Sequence, residues 1–171
     1  MIPNLLFDFT VDKATATIHI TREFAADLDL VWDAWTKAEM LDQWMGPKPW
    51  RAQTKEMDFR EGGRWLYAMI SPENVAARWI LVEFVKIQPR SSFTTKNSFC
   101  DENGSPTNTG FTWSLTTNSF KAGAGITTVQ IVKKMANLSE LEQFVAMGYK
   151  EGMAMVMRNL DEYLLTLVTN K

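Results

Sequence analysis

The sequence predicts an α+β fold in which one antiparallel sheet is backed by a long C-terminal helix. Three observations predict it. Between Arg51 and Lys134, short alternating apolar runs are separated by turns rich in Gly, Pro and Asn, and connections this short exclude the helical crossovers that parallel strands require. From Leu138 to Leu167, apolar residues recur at three- and four-residue spacing, the period of an amphipathic helix. No repeat, low-complexity tract or linker divides the 171 residues, a length suited to one core.

Residues 1–14 read as an N-terminal arm and 15–167 as a single domain. In Thr15–Phe24, Ile18, Ile20 and Phe24 point one way and Thr17, His19, Thr21 and Glu23 the other, a half-buried strand. Asp27 is placed to cap a helix carrying Leu28, Val31, Trp32 and Trp35. A second short helix, Ala38 to Trp44, ends at Gly46-Pro47-Lys48-Pro49, where two prolines cannot continue helical hydrogen bonding. Arg51–Phe59 is a strand leading into the turn Arg60-Glu61-Gly62-Gly63, and Trp65, Tyr67 and Met69 share one face of the next. After Pro72-Glu73-Asn74, a long apolar strand runs from Ala76 to Ile87 and Pro89 breaks it. Ser92–Phe99 follows, ending at the turn Asp101-Glu102-Asn103-Gly104. Phe111, Trp113 and Leu115 then alternate with Thr112, Ser114 and Thr116, and Gly123-Ala124-Gly125 turns into a last strand, Ile126–Lys133. Asn137 or Ser139 is placed to cap the closing helix.

Composition excludes several functions. Eighteen basic and twenty acidic residues leave a net charge of −2, with no basic cluster to meet nucleic acid or an anionic membrane. No window approaches the roughly eighteen apolar residues of a spanning helix, so no membrane insertion is expected. Met1–Lys13 lacks a basic leader and a cleavage pattern, which makes a cytoplasmic setting the expectation. Cys100 and His19 are each alone, so neither an intrachain disulfide nor a zinc site is expected. No phosphate loop, nucleophile elbow or other cofactor motif appears, and no residues are assigned as catalytic, cofactor-binding or metal-ligating.

What stands out is apolar surface. Seven Trp and ten Phe exceed what a minimal core requires, and Trp often lines cavities because its indole N–H still wants an acceptor. Gly148 and Gly152 lie one turn apart in the C-terminal helical pattern, each costing roughly 1 kcal/mol against Ala in a helix interior. Such a stripe either admits close backbone packing or leaves volume open. Met147, Met153, Met155 and Met157 surround it, and flexible thioethers suit a surface that fits more than one apolar shape. Together these point to a cavity between helix and sheet. Its expected lining is Trp35, Trp44, Trp65, Tyr67, Trp79 and Trp113, with Gly148, Gly152 and Met155; Tyr67, Asn97 and Asn159 would orient a ligand. Glu83 interrupts the run Trp79–Val85 and is the one candidate functional carboxylate. Facing inward, it would need a partner such as Arg78 or Arg90.

Several stretches resemble a known family: Arg22-Glu23-Phe24, Val31-Trp32-Asp33-Ala34-Trp35-Thr36, Leu41-Asp42-Gln43-Trp44-Met45-Gly46-Pro47, Glu56 to Trp65, Asp101-Glu102-Asn103-Gly104, Gly148-Tyr149-Lys150-Glu151-Gly152 and Leu160-Asp161-Glu162-Tyr163-Leu164. In this order they resemble the activator of heat-shock protein 90 ATPase homologue-like proteins of the START-like (SRPBCC) superfamily. The resemblance implies a helix-grip (START/Bet v-like) fold, β-α-α-β6-α, with a hydrophobic cavity beside the C-terminal helix. Met45 and Met153 stand where relatives often carry Trp. The fold by itself does not assign an activity. The first functional expectation is binding of a small hydrophobic or amphipathic, lipid-like ligand. The alternative is a protein-interaction module, a heat-shock protein 90 co-chaperone or a homodimer, with one of Trp32 and Trp35 turned outward. The third is a cyclase- or hydrolase-like enzyme using Glu83.

Overall fold

Phe7–Asp12 (β1) pairs antiparallel with Thr17–Phe24 (β2), so much of the stretch read as an arm is a strand of the sheet. The computed structural model describes residues 5–169. Burial along β2 alternates from Ile18 onward, with Ile18, Ile20 and Phe24 buried and His19 exposed, while Thr17, expected to face outward, is buried. Arg22 shares the inward phase and forms an ion pair with Asp161.

Leu28–Thr36 (α1) and Ala38–Trp44 (α2) follow. Asp27 occupies the N-cap position of α1, but its side chain makes no capping bond. The expectation that one of Trp32 and Trp35 faces outward is corrected, because both are buried. Trp32 meets Phe59, Phe93 and Phe120 edge-on, while Trp35 packs against Trp44 and Phe120. Aromatic rings prefer such edge-to-face contacts because their faces are negative and their edges positive.

Six strands complete the sheet: Arg51–Met57 (β3), Arg64–Ile70 (β4), Ala76–Gln88 (β5), Ser92–Cys100 (β6), Ser114–Gly123 (β7) and Ile126–Met135 (β8). The seventh begins at Ser114 rather than Phe111 and runs on to Gly123, leaving Phe111 and Trp113 ahead of it. All pairs are antiparallel, and the order is β1-β2-β8-β7-β6-β5-β4-β3. The curved sheet with its helical backing is a helix-grip α+β fold.

The C-terminal helix is two helices, not one: Leu138–Ala146 (α3) and Tyr149–Thr169 (α4). Gly148 breaks the run with φ +95°, a conformation open to glycine and strained for residues with a Cβ. Its N–H donates to the Val145 carbonyl (3.1 Å), and the Met147 N–H donates to that of Gln143 (3.0 Å), which closes α3. At the other end of α3, the Asn137 side chain accepts from the Glu140 N–H at 2.9 Å, a helix N-cap. Val156, Met157, Leu160 and Leu164 of α4 pack into the core with Ile20, Val129 and Phe120 of the sheet. Burying each such side chain contributes roughly 1.5–3 kcal/mol.

Candidate functional site

Sheet and helices do not close on each other completely. Between them lies a cavity of about 620 Å³, within the roughly 300–1,000 Å³ typical of small-molecule sites. Its walls come from α1, α2, the inner faces of β4 to β8, the segment ahead of β7, and α3–α4. Exposed Met147 and Arg78 mark its rim.

One wall is aromatic and locked in place. Trp65 stacks on Tyr67 with ring centroids 4.0 Å apart. The Trp65 indole N–H donates to the Thr54 hydroxyl (2.9 Å), and that hydroxyl in turn donates to Asp42 (2.6 Å). The Thr54 backbone N–H also donates to Asp42, at 3.0 Å. A carboxylate on α2 thus fixes the edge of an aromatic plate on β4. Phe84 and Phe93 continue this wall, and Phe59 packs edge-on against both. Trp35 also lines the space, and its indole N–H meets no acceptor among the described residues.

A polar row adjoins this wall, with Thr95 in register beside Phe84. Strand register sets Thr95 beside Thr116 and Thr116 beside Lys133, forming a row across β6, β7 and β8 on the inner face. The Thr95 hydroxyl donates to Asn97 at 2.5 Å. Lys133 is only 7 % exposed. Its Nζ donates to the Thr116 hydroxyl at 3.4 Å and lies 5.5 Å and 6.0 Å from the ring centres of Phe144 and Tyr149. No ion pair forms to Lys133 among the described residues, and burial lowers its pKa to about 8. Burial pushes the Tyr67 and Tyr149 hydroxyls upward, so both stay neutral at physiological pH.

The structure brings Trp35, Trp65, Tyr67, Trp113, Gly148 and Gly152 together around this space. A Cβ built on Gly152 would meet nothing within 4 Å; of the two glycines, this one borders open volume within a helix. Met45 and Met153 also line the cavity, as does Asn97.

The remaining expected residues lie elsewhere, each for a physical reason. Trp44 is enclosed in the α1–α2 corner, with its indole N–H donating to the Ala34 carbonyl at 2.9 Å. Trp79 faces away from the cavity. Ile80, Val82 and Phe84 take the inward phase of β5, leaving Trp79 on the outer face with Leu66, Leu81 and Cys100. Met155 is 38 % exposed, since α4 buries Val156 and Met157 instead. Asn159 is engaged with the Gly46 carbonyl at 2.8 Å. Glu83 is exposed on the outer face, in register between Arg64 and Lys96, and no inward carboxylate exists there to carry acid–base chemistry.

Lys133 escaped sequence reasoning, although its signal is legible. Val129, Ile131, Lys133 and Met135 follow one another at every second position of β8 and are all buried. Nothing resembling a metal centre appears, for no group of three or more His, Cys, Asp or Glu converges among the described residues. Burial pushes the Cys100 thiol up, which disfavours the reactive thiolate. No described helix is long and apolar enough to cross a membrane.

Comparison with known proteins places this architecture. The model of the family described as Activator of Hsp90 ATPase homolog 1-like protein matches residues 25–165. Among solved structures, Ms6760 from Mycobacterium smegmatis is 27 % identical, covering 95 % of this chain and 99 % of its own, with a TM-score of 0.84. A Staphylococcus epidermidis protein is 25 % identical over 92 % of this chain and 94 % of its own, with a TM-score of 0.79. A protein from Arthrobacter aurescens, at 24 % identity, covers 90 % and 88 % with a TM-score of 0.83 and shows the shared fold. No functionally curated protein matches the sequence.

Proposed function

We propose, for a chain that belongs to the Activator of Hsp90 ATPase homolog 1-like family, that it binds a small hydrophobic or amphipathic molecule in the cavity between sheet and helices. The family supports ligand binding or a co-chaperone-like role in general terms. The observation that carries the choice is the cavity of about 620 Å³, walled by Trp35, Trp65, Phe84 and Phe93. A dry aromatic wall recovers roughly 25 cal/mol for each Å² of apolar ligand surface taken from water, and the polar row on β6–β8 gives the ligand one preferred orientation. A cytoplasmic setting belongs to the same reading and is supported by the single, unpaired cysteine.

Binding to a chaperone or a second copy is the weaker reading. It needs an exposed apolar surface, and the outward Trp79 is the aromatic that would supply one. That ring is partly buried and has the Lys55 ammonium 5.7 Å above it.

Titration with the neutral fluorescent probe N-phenylnaphthylamine tests the proposal, alongside native mass spectrometry of gently purified protein. The expected result is saturable one-to-one probe binding that Gly152→Phe abolishes, because the new ring enters the open volume beside α4. No probe binding and no co-purifying molecule, or probe binding indifferent to Gly152→Phe, would overturn it.

A further inference from the structure

We propose that the ligand carries an anionic head, a carboxylate on an apolar body, and that Lys133 is the residue that receives it; this rests on the ligand-binding reading above and names its chemistry.

An ammonium removed from water is destabilising unless an opposite charge or a full set of hydrogen bonds replaces the lost hydration. Lys133 is nine-tenths buried, points into the cavity, and has one long hydrogen bond to Thr116. The Phe144 and Tyr149 rings offset part of the cost, but a ring quadrupole does not neutralise the charge. From β2 the lysine meets Ile18, from β7 Thr116, from α3 Phe144 and from α4 Tyr149. None of these is an anion.

The charge inventory of the cavity points the same way. Among the described residues, the charged ones that line it are Lys133 and Arg78, both cationic, and no Asp or Glu lines it. Arg78 stacks over Phe99 at the rim, 4.8 Å from the ring centre. An amine ligand would meet like charge, and a wholly apolar one would leave the ammonium unmatched. A carboxylate supplies the missing charge, and the Thr116 hydroxyl beside Nζ is placed to donate to its second oxygen. The Trp65–Tyr67 plate and the Phe84–Phe93 wall would then take the apolar body. Phe84 stands beside Thr95 in the register of β5 and β6, so apolar and polar linings adjoin within one space, which suits an amphipathic acid.

The test uses matched pairs of the same skeleton: dodecanoic acid with dodecanol, and phenylpropionic acid with phenylpropanol. Each competes with N-phenylnaphthylamine on the full chain. In the wild type, at least one acid is expected to bind roughly 10- to 100-fold more tightly than its alcohol, the usual range for a charge-assisted hydrogen bond. Lys133→Met should erase that preference while keeping alcohol and probe binding; Lys133→Arg should retain it. The acid preference should be level between about pH 6 and pH 8, where the ligand is a carboxylate and Lys133 an ammonium, and fall above that as the free ammonium titrates. Tyr67 and Tyr149 remain neutral over that range. Equal binding of acid and alcohol in every pair, or loss of both alike in Lys133→Met, overturns the assignment of the head group and leaves the cavity reading standing. Failure of the neutral probe itself to bind overturns both.

Discussion

The two walls of the cavity follow opposite physical rules. On the aromatic side the Trp65 indole is tied down by a relay: Trp65 donates to Thr54, and Thr54 donates to Asp42. On the β8 side, a buried ammonium has one 3.4 Å hydrogen bond and, among the described residues, no carboxylate partner. The first wall is arranged as a core is arranged. The second gives up stability, and sites that do so are where function concentrates. The comparison teaches that the feature least explained by folding is the better pointer to the ligand.

Substitutions can break this contrast, and the largest effect belongs to the satisfied wall. Trp65→Ala removes a buried ring and orphans the Thr54–Asp42 pair. It is expected to cost about 3–5 kcal/mol, read from equilibrium urea unfolding; a loss below 1 kcal/mol would mean that the plate is not part of the core.

Next is Lys133→Met, which should act in the opposite direction. Replacing an unmatched buried charge by an apolar chain of similar length is expected to stabilise the empty protein, on the order of 1–3 kcal/mol at neutral pH. The pH dependence follows from the lowered pKa, about 8 in the folded chain against 10.5 for a free lysine. Below pH 8 both folded and unfolded chains are protonated and the penalty is present in full. As pH rises from 8 to 10.5, the folded chain sheds the proton first, so the wild type gains on Lys133→Met across that window. A difference in unfolding free energy that does not change with pH would contradict this.

Smaller effects separate the two glycines. Gly148→Ala forces a Cβ into φ +95° and should cost about 1 kcal/mol. Gly152→Ala meets nothing within 4 Å and should gain up to about 1 kcal/mol from helix propensity. Equal effects of the same sign would show that α3 and α4 behave as one helix. Smallest of all, Glu83→Gln on the outer face should change stability by less than about 0.5 kcal/mol and leave probe binding unaltered.

Period-two alternation made most strands legible, and it set Trp65 and Tyr67 on the correct face. It failed on β5 because Trp79, Leu81 and Cys100, with Leu66 of β4, form a small apolar cluster on the outer face. With both faces apolar, the run Trp79–Val85 carries no phase. Met155 was misplaced for another reason. One helical phase was carried through Gly148, where the chain turns and α4 restarts with Val156 and Met157 inward. Trp44 shows that an aromatic near a cavity can be spent on joining two helices. Lys133 alternates plainly with Ile131 and Met135, but composition alone does not reveal its burial, because lysine is almost never fully buried.

A mismatched charge in the cavity lining makes the protein report on its own occupancy. Any greasy molecule that enters will raise the melting temperature by the contacts it adds, whereas one bearing the right head group will also quiet the ammonium. Thermal-shift screening of a metabolite collection should therefore show two tiers of response, with the upper tier marking the molecules the cavity is made to hold.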